Sequence, residues 1–210
     1  MFSMFKKWLE GRKQNQKTDR IIFSVMLAAG ILALAAAFTL TVNKFEVLQN
    51  PDVALACSIN LVLDCSTVMS TWQASVFGFP NMVIGLMAFS VVITVALAGL
   101  AGVKFPRWWL IVANIGFLLG AIFSYWLFFQ SVYAIAVLCP WCLLVTLSTT
   151  LIFSSMLHYN LKHNTFALKK KMNDRVQRFL EAGYHQMIVL AWLALMAALV
   201  IIQFGEGLFL

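Results

Sequence analysis

Five long apolar stretches limit what this chain can fold into. They run approximately over residues 21–42, 79–103, 108–129, 133–157 and 187–204. A helix of roughly 17–25 residues crosses the hydrocarbon core of a bilayer, and lipid offers no hydrogen-bond partner to a bare backbone. The chain of 210 residues is also 62% hydrophobic and only 11% charged, whereas soluble domains carry about 25% charged residues. We therefore predict an all-α protein with five helices in the lipid bilayer, and exclude a soluble enzyme, a disordered tail and a free nucleic-acid-binding protein.

The first stretch has a second interpretation, as a cleaved secretory signal peptide. Six basic residues precede it, and Ala35-Ala36-Ala37 resembles a cleavage site. However, the polar segment before the apolar stretch is 20 residues long, and the apolar stretch itself extends to Val42. This length favours an uncleaved signal-anchor helix.

The basic residues predict the orientation of the spans. If the segments alternate from an inside N-terminus, 14 of the 15 Lys and Arg residues lie inside and only Lys44 lies outside. Short loops rich in Lys and Arg stay in the cytoplasm, so the net charge of +7 marks the cytoplasmic face. The predicted order is a basic cytoplasmic N-terminus at 1–20, four helices at 21–157 with an external loop at about 43–78, a basic cytoplasmic linker at 158–186, and a fifth helix with an external C-terminus at 187–210.

All four cysteines fall at or near the external membrane surface, which is the oxidising side. Cys57 and Cys65 enclose seven residues of the first external loop, and Cys139 and Cys142 form a C-x-x-C motif. We expect this motif one to two turns into the fourth helix, where residues three apart share a face. The thiols of C-x-x-C pairs often have a lowered pKa, and the thiolate is the attacking species in disulfide exchange. The spacing favours a dithiol that opens and closes repeatedly.

Other interpretations of the cysteines compete with this one. A structural zinc site needs four Cys or His ligands, and no His is expected on the external side. A thioredoxin domain needs a βαβ context, which the apolar flanks of the motif do not provide. A structural loop disulfide beside two incidental helix cysteines also remains open. In the functional interpretation, electrons pass from the loop pair to the helix pair and then to a lipid-soluble quinone, and no metal takes part.

The residues around the cysteines resemble one family. The segment from Cys57 to Thr71, the sequence Gly78-Phe79-Pro80-Asn81 leading to Gly85, and Cys139-Pro140-Trp141-Cys142 are similar to the vitamin K epoxide reductase (VKOR) family. The resemblance covers about residues 20–157. Members of the DsbB family, the other membrane disulfide oxidases, carry their C-x-x-C motif in the first external loop, so the order of the pairs is reversed there.

The resemblance implies a four-helix bundle around a quinone, menaquinone or ubiquinone, with a fifth helix added, in the inner (plasma) membrane of a bacterium. Because no thioredoxin-like domain follows the fifth helix, the expected donor is a separate extracytoplasmic thioredoxin-fold thiol oxidase of the DsbA type. By the match of motifs, Cys57 exchanges with that donor and Cys65 passes electrons to Cys139. Cys142 is then expected to lie against the quinone ring.

Four polar residues are the quinone-binding candidates that the resemblance implies. Thr71 stands where the family has a functional Ser, with Ser70 beside it. Asn81 corresponds to a polar residue that hydrogen-bonds a quinone oxygen, although it could equally cap its helix or be hydrated at the interface. Thr146 stands where animal members have Tyr, which favours ordinary quinone reduction over epoxide chemistry.

One alternative belongs to a different class of function. The chain could be a non-enzymatic membrane assembly factor, or a small transporter, with a structural disulfide in its external loop. Charges inside the spans would favour transport, but none is identified in the five apolar stretches.

Overall fold

The computed structural model describes residues 2–50, 53 and 55–208, with side chains within residues 16–205 of that range. Residues 1, 51, 52, 54, 209 and 210, which belong to the predicted N-terminus, external loop and C-terminus, lie outside the described residues. So do the side chains of Lys6, Lys7, Arg12 and Lys13. The helices are α1 (Phe2–Gln49), α2 (Cys65–Ser70), α3 (Asn81–Leu100), α4 (Arg107–Phe129), α5 (Pro140–Lys162), α6 (Lys170–Glu181) and α7 (Tyr184–Leu208).

Five of these helices are long and apolar enough to cross a membrane. The candidate spans cover 16–49 in α1, 81–100 in α3, 107–135 in α4 and its extension, 140–162 in α5, and 184–205 in α7. No β-strand occurs in the described part of the chain, apart from one isolated bridge between Leu63 and Leu138. The prediction of an all-α membrane protein with four bundled helices and a fifth spanning helix is therefore confirmed.

The bundle is built around α1, which packs against both α3 and α5, while α4 packs against α5. The core at this junction contains Phe23, Met26, Ala33 and Phe89. Lipid provides no hydrophobic driving force for helix association, so membrane helices are held together by close packing. Small residues permit that close approach. At Gly99 of α3, a Cβ atom would lie 2.5 Å from the ring of Phe23. Only a hydrogen atom fits at this contact between α1 and α3.

The connection between α4 and α5 differs from the prediction. The helix of α4 continues through a π-helical turn at Gln130–Ile135 and ends at Ala136, which has a left-handed φ of 56°. The next helix begins at Pro140, which lacks a backbone N–H and fits the first turn. Cys139 is the N-cap of α5, and Cys142 lies in its first turn. The expected position one to two turns into the helix was wrong for both cysteines, because the helix begins only at Pro140.

The end of the bundle opposite the cysteines is held by polar contacts. Asp19 of α1 accepts from Lys162 Nζ at 2.9 Å and lies 3.0 Å from His163 Nε2, so α1 is tied to the end of α5. Gln177 of α6 donates to the Leu161 carbonyl at 3.1 Å. The short helix α6 therefore lies against the end of α5, within the linker predicted at 158–186.

Candidate functional site

A main-chain bridge joins the external loop to the chain just before α5. The Leu138 N–H donates to the Val62 carbonyl at 2.7 Å, and the Asp64 N–H donates to the Leu138 carbonyl at 3.0 Å. The residue after Asp64 is Cys65, and the residue after Leu138 is Cys139. The bridge therefore brings one cysteine of each pair to the same point.

The four cysteines form a series. Cys57 and Cys65 are joined by a disulfide, with their Cα atoms 5.7 Å apart, and Cys139 and Cys142 are free thiols. The Sγ atoms of Cys65 and Cys139 lie 3.3 Å apart. A disulfide bond is about 2.0 Å long, so exchange between the pairs requires a movement of only about 1 Å by one sulfur. Cys57, Cys65 and Cys139 are all buried, at 5%, 0% and 1% exposure, so water does not compete for the exchange.

Asp64 fixes the helix that carries Cys65. Its carboxylate accepts from the backbone N–H groups of Ser66 at 2.9 Å and Thr67 at 3.2 Å, and so caps α2. The hydroxyls of Ser58, Ser66 and Thr67 donate to the same carboxylate. Burial alone raises the pKa of Asp64, but the hydrogen bonds from Ser58, Thr67 and Ser66 outweigh it and hold the pKa well below its ordinary value. The carboxylate therefore stays charged and keeps its capping role at neutral pH.

Cys139 is favoured as the charged thiol of the C-x-x-C pair. A hydrogen bond from the Cys142 thiol lowers the pKa of Cys139, burial opposes it, and the backbone N–H groups of Cys142 and Trp141 lower the pKa further. The charge of Asp64 acts in the opposite direction, as repulsion between like charges requires. The net lowering of the pKa makes the thiolate, which is the reactive form, easier to form at the sulfur that faces Cys65.

A cavity of about 200 Å³ lies beneath this series of sulfurs. It is enclosed by α1, α3, α4 and α5, and is covered by α2 and the short 3₁₀ helix Trp72–Ser75. Its lining is almost entirely apolar, and Cys142 forms part of one wall. Ala88 of α3 and Gly120 of α4 both border the cavity and are exposed. The cavity therefore opens sideways between α3 and α4, on the face that meets lipid.

Three of the four polar candidates line this cavity, namely Thr71, Asn81 and Thr146. Ser70 does not line it: its side chain is exposed, and its hydroxyl donates to the Ser66 carbonyl of the same short helix. The Thr71 hydroxyl donates to the Val68 carbonyl at 2.8 Å. The structure thus separates the two neighbouring hydroxyls, with Thr71 at the cavity and Ser70 at the surface.

Asn81 holds the cover of the cavity in place. Its Nδ2 donates to the Gln73 carbonyl at 2.6 Å, and its Oδ1 accepts from the Val76 N–H at 3.2 Å. It therefore connects the start of α3 to the 3₁₀ helix above the cavity. The amide also carries a second N–H besides the one that donates to Gln73.

Four polar residues of the cavity wall are not among the candidates predicted from the sequence, namely Gln73, Ser124, Ser131 and Thr149. Ser124 donates to Thr146 Oγ1 at 3.0 Å, and Thr146 donates to the Cys142 carbonyl at 3.0 Å, so a chain of hydroxyls leads to Cys142. Gln73 is buried, with Nε2 donating to Gln130 Oε1 at 3.3 Å. Ser124 carried a usable signal, since it is a polar residue within an apolar stretch. Gln73 lies in the short 3₁₀ helix of the external loop and carried none.

The residues of the cavity fit a quinone, which combines an apolar ring with two carbonyl acceptors. The apolar walls suit the ring, and Thr71, Asn81 and Thr146 supply the nearby polar groups. Among the described residues, no group of three or more His, Cys, Asp or Glu side chains is placed to hold a metal ion.

The comparisons with known proteins agree with the cysteine pattern. The model of the vitamin K epoxide reductase family matches residues 24–157. The matched segment contains about half of α1, all of α3 and α4, most of α5 and every cysteine, whereas α6 and α7 lie beyond it. A search of curated proteins found no match.

Proposed function

The chain belongs to the vitamin K epoxide reductase family of quinone-linked membrane thiol oxidoreductases, and we propose that it passes electrons from an extracytoplasmic dithiol protein to a membrane quinone. The donor is a thioredoxin-fold thiol oxidase of the DsbA type, and the acceptor is menaquinone or ubiquinone. The observation that carries the proposal is the 3.3 Å separation of the Cys65 and Cys139 sulfurs. It connects a loop disulfide to a thiol pair that borders an apolar cavity.

Each step of the proposed relay is a thiol–disulfide exchange. A donor thiolate attacks Cys57, so that a donor–Cys57 bond forms and the Cys65 thiolate is released. Cys65 then attacks Cys139 of an oxidised Cys139–Cys142 pair, and Cys142 leaves as a thiolate. The second donor thiol attacks the donor sulfur bound to Cys57, which frees Cys57 and leaves the donor with a disulfide. Each donor molecule thereby loses two electrons and two protons.

A bound quinone supplies the final acceptor, because it takes up two electrons and two protons as both protein disulfides are restored. The protein side of this step is positional. Cys142 lies in the cavity wall, and the hydroxyl chain from Ser124 through Thr146 holds the first turn of α5 by its contact with the Cys142 carbonyl. We propose that Asn81, Thr71 and Thr146 orient the ring. Ser70 is not included, because its side chain is exposed.

The proposed location is the inner membrane of a bacterium, with the N-terminus in the cytoplasm. Two observations support this orientation. The cysteines lie at one end of the bundle, whereas Lys162 and the basic helix α6 lie at the other. Disulfide exchange with a secreted protein also requires the oxidising side.

The test uses purified protein in lipid nanodiscs with a dithiol donor, and follows quinone absorbance with ubiquinone and menaquinone in parallel. We expect the wild type to oxidise one dithiol per quinone reduced. Cys142→Ser is expected to abolish quinone reduction while mixed disulfides accumulate between Cys57 or Cys65 and the donor. Ser70→Ala is the control and should keep the wild-type rate.

Unchanged quinone turnover in Cys142→Ser would refute the proposal. A Cys57–Cys65 bridge that stays uniformly oxidised whether or not quinone is present would instead support a structural disulfide in a non-enzymatic assembly factor or small transporter.

A further inference from the structure

Asn43 contacts one sulfur of the loop disulfide. It lies near the external end of α1, and its Nδ2 donates to Cys57 Sγ at 3.5 Å. Cys57 is buried in an apolar cluster with Leu40, Leu55 and Met69. The amide therefore brings a polar donor to a sulfur that is otherwise surrounded by hydrocarbon.

The second sulfur of the same disulfide has different neighbours. Cys65 Sγ faces Cys139 Sγ at 3.3 Å and lies 3.6 Å from the carbonyl oxygen of Cys57. A carbonyl oxygen presents lone pairs and so disfavours negative charge on an adjacent sulfur, whereas an amide N–H stabilises it. The two sulfurs of one bond are thus unequal as carriers of negative charge.

This inequality matters whenever the loop disulfide opens. Opening leaves a thiolate on one sulfur, and a buried charge is costly unless a hydrogen bond compensates for it. Hydrogen bonds to charged groups are roughly twice as strong as those between neutral groups. The Asn43 amide N–H, which donates a hydrogen bond to the Cys57 sulfur, therefore favours opening in which Cys57 is the leaving group and Cys65 is the sulfur attacked.

We propose that Asn43 is a catalytic residue of the exchange between the two cysteine pairs, and that its amide stabilises the Cys57 thiolate released when Cys139 attacks Cys65. The inference rests on the proposed function, because it requires thiol–disulfide exchange between the two cysteine pairs. In this step the Cys65–Cys139 bond forms and the Cys57–Cys65 bond breaks. The electron pair of the broken bond moves to Cys57. One disulfide and two thiols exist before and after, so nothing is oxidised or reduced overall.

The step sets the balance between two disulfide isomers. When Cys139 attacks Cys65, negative charge moves from Cys139 to Cys57, and Asn43 is hydrogen-bonded to the sulfur that receives it. The amide therefore shifts the equilibrium between the two one-disulfide isomers toward the Cys65–Cys139 bond. This isomer, in which Cys57 is free, is the one that the proposed relay reaches when the donor leaves as a disulfide.

The first experiment measures the reactivity of Cys57 directly. In full-length Cys65→Ser protein in nanodiscs, Cys57 is a free thiol, and its rate of alkylation by iodoacetamide is followed as a function of pH. Adding Asn43→Leu, which keeps the side-chain volume but removes the donor, should slow alkylation at neutral pH about tenfold. The two rates should converge at alkaline pH, where the thiol is ionised in both proteins. Asn43→Asp should slow the reaction further, and Asn43→Gln, which retains an amide, should restore part of the rate.

A purely structural role for Asn43 predicts the opposite sign. Loosening the packing around Cys57 would expose the thiol and accelerate alkylation at every pH. The control is Thr39→Ala, a half-buried position one turn before Asn43 in α1 whose hydroxyl donates to the Ala35 carbonyl, and it should leave the rate unchanged.

The second experiment uses the four native cysteines without quinone. Protein held at one disulfide per chain is quenched, alkylated and digested, and the ratio of Cys65–Cys139 to Cys57–Cys65 peptides is measured by mass spectrometry. Asn43→Leu should lower this ratio about tenfold. Failure of the Cys142→Ser test would overturn the quinone relay but leave this ratio and the alkylation rates meaningful. An isomer ratio and alkylation rates within twofold of wild type, or faster alkylation, would overturn the role of Asn43.

Discussion

Replacing Asp64 with Ala removes the carboxylate that caps the helix carrying Cys65. Two backbone N–H groups, from Ser66 and Thr67, lose their partner at the N-terminus of α2, and three hydroxyls lose theirs. Loss of an N-cap costs about 1–2 kcal/mol in well-formed cases. An energy of this size changes a local opening equilibrium about 5- to 30-fold. We expect the opening equilibrium of α2, which covers the cavity, to increase by this factor.

The opening can be read from the alkylation of Cys139, whose side chain is only 1% exposed and is reached only when the cover moves. Asp64→Ala should therefore speed Cys139 alkylation about 5- to 30-fold relative to wild type in nanodiscs. Asp64→Asn separates the cap from the charge, because Asn is as good an N-cap as Asp but carries no charge. Both variants also remove the negative charge that opposes ionisation of Cys139, so the loss of the cap alone is measured by the excess of the Asp64→Ala rate over the Asp64→Asn rate. Ser70→Ala is the control on the same helix.

The pH dependence gives a second check. Hydrogen bonds hold the pKa of Asp64 below its ordinary value, so its stabilising contribution is fully present above the ordinary carboxyl pKa of about 3.9. The contribution is lost only as the pH falls through the lower native value. The ratio of variant to wild-type rates should therefore be constant between pH 5 and 8. A ratio for Asp64→Ala within twofold of one, or a ratio that changes severalfold across this range, would refute the capping role.

Two further predictions concern the cavity mouth and the fifth helix. Gly120→Phe should raise the KM for quinone about tenfold or more without slowing thiol exchange, because a Cβ there meets nothing within 4 Å and the ring would fill the opening. The control is Gly116→Phe, at a position that is equally open but does not line the cavity. Equal KM values for the two variants would contradict a lateral entrance. Trp192→Phe should lower the free energy of unfolding by about 1 kcal/mol in a denaturing-detergent titration, because it removes the 2.7 Å bond to the Tyr125 hydroxyl. The effect should disappear in a Tyr125→Phe background, and an additive double variant would show that the bond contributes nothing.

The sequence was most informative where the bilayer itself imposes the structure. Lipid requires every backbone group to be bonded within its own helix, so the five apolar stretches were enough to predict five spans. The C-x-x-C motif and the eight-residue step from Cys57 to Cys65 were likewise enough to indicate the family.

Local details near the site depended on single residues whose effect is not periodic. The left-handed Ala136 and the proline at position 140 set the start of α5 and make Cys139 its N-cap. Ser70 and Thr71 are adjacent hydroxyls in the sequence, but the end of α2 falls between them. As a result one side chain is exposed and the other lines the cavity. Patterns of apolar residues do not contain this information, because helix ends are decided by backbone geometry.

The membrane spans and the order of the two cysteine pairs follow from the sequence without any structure, because burial in lipid and motif spacing are local properties of the chain. The tertiary structure alone decided that Cys65 and Cys139, 74 residues apart, lie 3.3 Å from each other. That contact depends on the bridge between Leu63 and Leu138, which joins two irregular segments, and on the cap at Asp64, which starts the helix that carries Cys65. Such segments have no periodicity from which their pairing could be predicted, and they meet only once the four helices of the bundle have packed.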